Sequence, residues 1–204
     1  MAEFIIVSDD GPIRTVRMNR PDKKNALNVA MYNALAAALE SAAGAADLRC
    51  IVIAGARGAF CAGNDLQDFL HAVEDREGLS SPQLRFLHAL ARNEKPLVAA
   101  VGGLAVGIGT TMLLHCDHVV AATDAVFSTP FVNLGLAPEA ASSLLAPQRM
   151  GHARAFSLLA MGRPLDAAAA QTAGIVNTLV AAPEVDAEAH KAALQIASLP
   201  AEAL

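Results

Sequence analysis

Residues 4–18, FIIVSDDGPIRTVRM, place two short apolar stretches on either side of an Asp-Gly step, which predicts two strands joined by a tight turn. The polar, proline-interrupted stretch NRPDKKNAL reads as a loop. Asn28 then stands where an N-cap is needed for a long Ala/Leu helix, VAMYNALAAALESAAG, closed at Gly44. RCIVIAG is apolar without alternation, the pattern of a strand buried on both faces. ARGAFCAGNDL reads as a glycine-punctuated loop leading into a helix at Leu66, and a polar segment from His71 to Pro82 separates that helix from the next, QLRFLHALARNE. The strand PLVAAV, the loop GGLAVGIG, the helix IGTTMLLHC and the strands HVVAA and AVFST follow. The remainder predicts helices over AASSLLAPQRM, ARAFSLLAM and DAAAAQTAG, a strand over IVNTLV and a helix from about Glu184. Strands and helices alternate throughout, which favours an α/β fold with largely parallel pairing, in one domain spanning residues 1–204.

Composition sharpens this picture. Hydrophobic residues reach 54% but aromatics only 4%, so the helices are Ala-rich and suited to close packing on a sheet. A net charge of −5 excludes a surface that attracts nucleic acid as a whole. An anionic ligand therefore needs a local basic patch, for which Arg20, Lys23, Lys24 and Arg57 are the candidates, although four such residues in loops are more often plain solvated surface. Three cysteines without paired spacing, and an N-terminus without a signal-peptide pattern, point to a reducing, cytoplasmic setting. The longest apolar run, KPLVAAVGGLAVGIGTTMLLHCD, is broken by glycines and reads as strand, turn and buried helix, not as a membrane span.

Two loops share one physical design, a strand end, then glycines, then a helix start. In FCAGNDL the backbone after Gly63 presents the Asn64 N–H, and in AVGIGTT the turn through Gly107 and Gly109 presents the Ile108 N–H. Amides at helix N-termini have no intrahelical partner and suit an oxyanion. Either loop alone is equally a tight strand-to-helix turn. Glu139, at the end of FSTPFVNLGLAPE, is either a catalytic base or an acid favouring the dipole of the helix that follows. Asn133 suits a site contact or a turn, and Asp65 suits an anchor for the Asn64 loop or an N-cap. The run HCDH, residues His115 to His118, offers too few ligands in step to hold a metal. Cys61 has no neighbouring histidine in sequence and reads as a packed small side chain.

In order, NRPDKKNAL, GAFCAGNDLQDF and KPLVAAVGGLAVGIGTTMLLHCDHVVAATDAVFSTPFVNLGLAPEAASSLL strongly resemble the crotonase superfamily, the enoyl-CoA hydratases and isomerases, from about Phe4 to Val180. The resemblance implies a crotonase-like spiral of ββα units and an acyl-CoA thioester ligand, with coenzyme A part of the substrate and no other cofactor. It implies an oxyanion hole from the Asn64 and Ile108 amides. Contacts to substrate would come from Lys24, Ala26, Leu27, the segment Ala62, Gly63, Asn64, Asp65 and Leu66, and from Gly107, Phe131 and Asn133. It also implies a homotrimer or a dimer of trimers, built with C-terminal helices that the stretch ending ASLPAEAL does not reach.

Two glutamates that manage a water in the hydratases would fall at Thr111 and Phe131, so neither acid is present. TPFVNLGLAPEAASS looks instead like the branch of peroxisomal type that isomerises 3-enoyl-CoA to 2-enoyl-CoA, in which a single base maps onto Glu139. Walls of Phe131, Leu134, Leu136 and Pro138 would raise its pKa toward neutrality. A hydratase working through Glu139, another enolate-forming enzyme, and a catalytically silent acyl-CoA binder are the alternatives. An RNA-binding role would want a lysine-rich helix face, which the sequence lacks.

Overall fold

A computed structural model describes residues 3–56, 58–65 and 81–204. Arg57, Leu66, the helix expected from Leu66 and all but the last two residues of the polar segment to Pro82 lie outside these. The chain opens with a hairpin, β1 (Ile5–Asp10) and β2 (Ile13–Met18), whose register pairs Asp10 with Ile13 and leaves a two-residue Gly11-Pro12 turn. Gly11 takes a φ of 55°, a conformation that a residue without Cβ adopts at little cost. Helix α1 (Val29–Ala43) starts where Asn28 caps it, the side-chain oxygen accepting from the Met31 N–H at 2.9 Å.

The next six strands come in three pairs: β3 (Cys50–Gly55) with β4 (Ala59–Cys61), β5 (Leu97–Val101) with β6 (Leu104–Val106), and β7 (His118–Ala122) with β8 (Val126–Ser128). The first strand of each pair joins a six-stranded sheet in the order β1-β2-β3-β5-β7-β10, where β10 is Thr178–Val180. The second joins a four-stranded sheet in the order β4-β6-β8-β9, where β9 is Leu165–Asp166. Among the described strands, only β1–β2 and β8–β9 run antiparallel. Each pair stacks on the last, so the chain climbs as a spiral of ββα units. The inner strands CIVIA and LVAAV are buried along their whole length, as their unbroken apolar runs predict.

Helices close the outside. Helix α2 (Pro82–Ala91) lies along α1, while α3 (Ile108–Thr111) is a single turn continued by a 3₁₀ segment to His115. Beyond β8 come α4 (Ser142–Met150), α5 (His152–Leu159), α6 (Ala167–Thr172) and α7 (Val185–Ala197). α7 turns Val185, Ala189, Ala192, Ala193 and Ala197 onto β3, β5 and β7. Small side chains in that stripe let the helix lie close to the sheet. None of the described helices is long and apolar enough to cross a membrane.

Four expectations need correction. Ala59–Cys61 and Leu104–Val106 were expected in loops but are strands. Each is three residues long, too short to show a period, and pairs only with strands distant in sequence. IGTTMLLHC divides into an α turn and a 3₁₀ turn, and the strand expected over IVNTLV shortens to its last three residues.

Successive spiral turns approach so closely that glycine is required at their contacts. A Cβ on Gly109 would stand 2.6 Å from the Cys61 carbonyl oxygen and 2.9 Å from the Cys61 Cβ. Gly109→Ala should therefore destabilise the fold by about 1–3 kcal/mol in urea unfolding. Gly44→Ala, at a helical φ of −84° with nothing within 4 Å of the added carbon, should be neutral or stabilising by up to about 1 kcal/mol.

Candidate active site

The two glycine loops meet. A Cβ on Gly63 would lie 3.2 Å from the Val106 carbonyl oxygen, and one on Gly107 would lie 4.0 Å from the Gly63 Cα and 3.9 Å from the Phe131 ring. Gly63 has a φ of 92°, and Gly107 has φ 55° and ψ −120°, which strongly favour glycine. Between them the Asn64 and Ile108 amides are left over. Leu27 donates to the Gly63 carbonyl and accepts from the Asp65 N–H, both at 2.8 Å, in a parallel bridge that turns the Asn64 N–H to the other side. Ile108 heads a helical turn, where its N–H has no acceptor one turn back. Neither amide donates to another described residue.

The loop predicted to hold coenzyme A is sewn to the Asn64 loop. The Ala62 N–H donates to the Lys24 carbonyl at 3.0 Å. Arg20 pairs with Asp65 at 2.7 Å, with both side chains largely buried, and also donates to the Ala26 carbonyl at 3.1 Å. Asp65 thus anchors the loop. The structure brings together Lys24, Ala26, Leu27, Ala62, Gly63, Asn64 and Asp65 along one seam, and Gly107, Ile108 and Phe131 beside it.

Two residues that sequence reasoning passed over hold this seam. Asn25 is fully buried with a φ of 58°; its oxygen accepts from the Arg20 N–H at 2.9 Å and its amide donates to the Ala59 and Phe60 carbonyls at 2.8 and 3.2 Å. The available signal was an asparagine in a tight loop, the residue after glycine most tolerant of positive φ. Tyr32, buried on α1, donates its hydroxyl to the Asn64 side-chain oxygen. Its only sequence signal was a phenol in an otherwise apolar stripe.

Glu139 does not sit in the first turn of the following helix. α4 begins at Ser142, and Ala140 and Ala141 before it have φ values of 54° and 51°. Each such non-glycine residue costs about 1–2 kcal/mol, so this turn is strained. It is held from three sides. Ser142 donates to the Glu139 carbonyl from its N–H at 2.9 Å and from its hydroxyl at 2.6 Å, and His115 Nε2 donates to the Ala140 carbonyl at 2.9 Å. The turn carries the Glu139 carboxyl inward, where its Oε1 is buried with no hydrogen-bond partner among the described residues. Burial alone pushes the carboxyl pKa up to about 7. Its charge is felt at Tyr32 and Cys61, which places all three groups about one space. Burial is the main cause that holds the Tyr32 hydroxyl and the Cys61 thiol in their neutral forms, the thiol pushed up to about 12.

Other expected members fall elsewhere. Leu134 is 60% exposed and forms no wall, whereas Phe131 is buried and Leu136 packs against the core. Asn133 is exposed with its side chain against Gly162, in the manner of a turn asparagine. Thr111 is buried and donates to the Gly107 carbonyl at 3.3 Å. In HCDH, His115 braces the Glu139 turn and the Asp117 carboxylate accepts from the Leu97 N–H at 2.8 Å.

A spiral of ββα units with two facing glycine turns defines a class, and the comparisons with known proteins agree on it. The enoyl-CoA hydratase/isomerase family pattern matches residues 9–204, and the chain belongs to that family. It is similar to rat enoyl-CoA delta isomerase 2, 40% identical over 85% of this chain but only 45% of that longer protein. The crystal structure of an enoyl-CoA hydratase/isomerase from Pseudoalteromonas atlantica T6c matches with a TM-score of 0.93 at 42% identity, over 98% of this chain and 79% of that one. An enoyl-CoA hydratase from Mycobacterium marinum matches with a TM-score of 0.90 at 35% identity, over 99% of this chain and 95% of that one.

A carboxyl with a raised pKa makes stability depend on pH. The folded protein keeps a proton that the unfolded chain releases between about pH 4.5 and 7, so stability falls as pH rises through that window. Glu139→Gln removes the liability. At about pH 8 the variant should be more stable than the parent by about 3 kcal/mol, and the gap should close by about pH 4 in urea unfolding.

Proposed function

We propose that the protein isomerises 3-enoyl-CoA to 2-enoyl-CoA, with Glu139 as the only acid–base group. The observation that carries this reading is the Glu139 Oε1, buried with no hydrogen-bond partner among the described residues and near enough to Tyr32 and Cys61 for its charge to be felt there, while the two positions of the hydratase acids hold the buried Thr111 and Phe131. The similarity to rat enoyl-CoA delta isomerase 2 supports the same choice.

The thioester oxygen lies against the Asn64 and Ile108 N–H groups. Glu139, ionised, takes a proton from C2, and the electron pair moves into the thioester to give a dienolate with its charge on that oxygen. Each amide donor contributes about 3–4 kcal/mol to holding that charge. The protonated Glu139 then returns the proton at C4, and the double bond comes to rest at C2–C3. One carboxylate serves both steps, so no water need be activated. A pKa near 7 suits both halves, because the group must accept the proton and then release it. Lys24, Ala26, Leu27 and the segment from Ala62 to Leu66 hold the coenzyme A portion, with the exposed Lys23 and Lys24 supplying positive charge for its phosphates. Assembly as a homotrimer or a dimer of trimers, and a cytoplasmic setting, belong to the same reading.

Formation of the conjugated thioester gives a near-ultraviolet rise when a 3-enoyl-CoA is mixed with the protein. Glu139→Gln should lower that rate by about 10²–10⁴-fold without abolishing thioester binding. An equal rate in the variant would remove Glu139 from the chemistry. Hydration of 2-enoyl-CoA without isomerisation would favour the hydratase alternative.

A further inference from the structure

We infer that the Tyr32 hydroxyl is a positioning group for the oxyanion-binding amide of Asn64, holding that residue through its side chain. The inference rests on the assignment of the two amides given above, and it gives α1 a part in the reaction.

Tyr32 is the one tyrosine of the chain, and it is 2% exposed. It lies one turn into α1, in a stripe otherwise made of Met31, Leu35, Ala36 and Leu39, with its ring tilted against Phe86 at 5.8 Å between centroids. Phenylalanine would fill that place as well, so packing does not account for the hydroxyl. A buried hydroxyl costs stability unless it is partnered, and its partner here is the Asn64 side-chain oxygen.

The tether completes a hold that the backbone begins. The bonds to Leu27 fix the peptides on either side of Asn64, and the Tyr32 bond fixes its side chain, so the residue that carries the N–H is held at three points. An oxyanion donor acts through its position, and a shift of about 1 Å costs on the order of a hundredfold in rate. The bond has a second consequence. The phenol has one proton, and giving it to Asn64 means not giving it to Glu139, whose charge reaches the same hydroxyl. A hydrogen bond to Glu139 would stabilise its carboxylate and make it a weaker base.

Three variants test this: Tyr32→Phe, which keeps the ring, Asn64→Ala, which keeps the main-chain amide, and the double. Two readouts are compared, kcat and KM for a 3-enoyl-CoA, and the near-ultraviolet enolate band of bound acetoacetyl-CoA. Each single variant should lose about 10–100-fold in kcat, keep KM within about twofold and weaken the enolate band. The double should lose no more than the worse single, because both remove one interaction. Wild-type kcat and enolate band in Tyr32→Phe, or losses that multiply in the double, would overturn the inference. Should the parent fail to turn over 3-enoyl-CoA, the isomerase reading falls and the enolate band alone decides: a weaker band in Tyr32→Phe upholds the tether, and an unchanged band or none in the parent overturns it. If Tyr32→Phe does not fold, Asn64→Ala carries the same test, and an unchanged band there overturns it.

Discussion

The close stacking of one spiral turn on the next is the constraint from which the rest follows. Parallel pairing of β4 with β6 brings two strand ends to the same height, and the chain must leave both at once. Glycine suits both turns, since a Cβ on Gly63 would press on the Val106 carbonyl oxygen at 3.2 Å and Gly107 takes a φ of 55° with a ψ of −120°. Leaving so sharply also exposes a backbone N–H at each turn. The pairing that builds the sheet therefore leaves two backbone donors, Asn64 and Ile108, without an acceptor among the described residues.

Around that point the molecule accepts unfavourable terms for the sake of chemistry. Glu139 buries its Oε1 with no hydrogen-bond partner among the described residues, and the turn that delivers it holds two alanines in left-handed conformations. The compensation lies nearby, in Ser142 and His115 gripping the turn and in the apolar core behind it. Such local conflicts are expected where a protein acts, because a carboxylate made comfortable by partners is a poor base. The seam through Asn25, Arg20 and Asp65 has the opposite character. Its polar groups are well partnered, so the loop from Arg20 to Leu27 stays in register with the strand behind it.

Much of this was legible in the chain. Unbroken apolar runs identified β3, β5 and β7, Asn28 and Gly44 bounded α1, and the order of the glycine loops and Glu139 pointed to the family before any geometry was available. Other features were hidden for physical reasons. The three-residue strands β4 and β6 carry no period, and their existence depends on partners dozens of residues away. Asn25 and Tyr32 look ordinary in a loop and a helix, and only their long-range hydrogen bonds distinguish them. Leu134 was expected beside Glu139 because of its nearness in sequence, but Gly135, with a φ of 71°, bends the chain and leaves it in solvent. Tertiary pairing decided each of these.

The central claim is that burial makes Glu139 a base near neutrality. The most direct measurement is a carboxyl titration by isotope-edited infrared or carbon NMR, in which Glu139→Gln identifies the signal. The account predicts one carboxyl that titrates at about pH 7 and is missing in the variant. A Glu139 signal titrating near 4.5, the ordinary value for a glutamate, would contradict it.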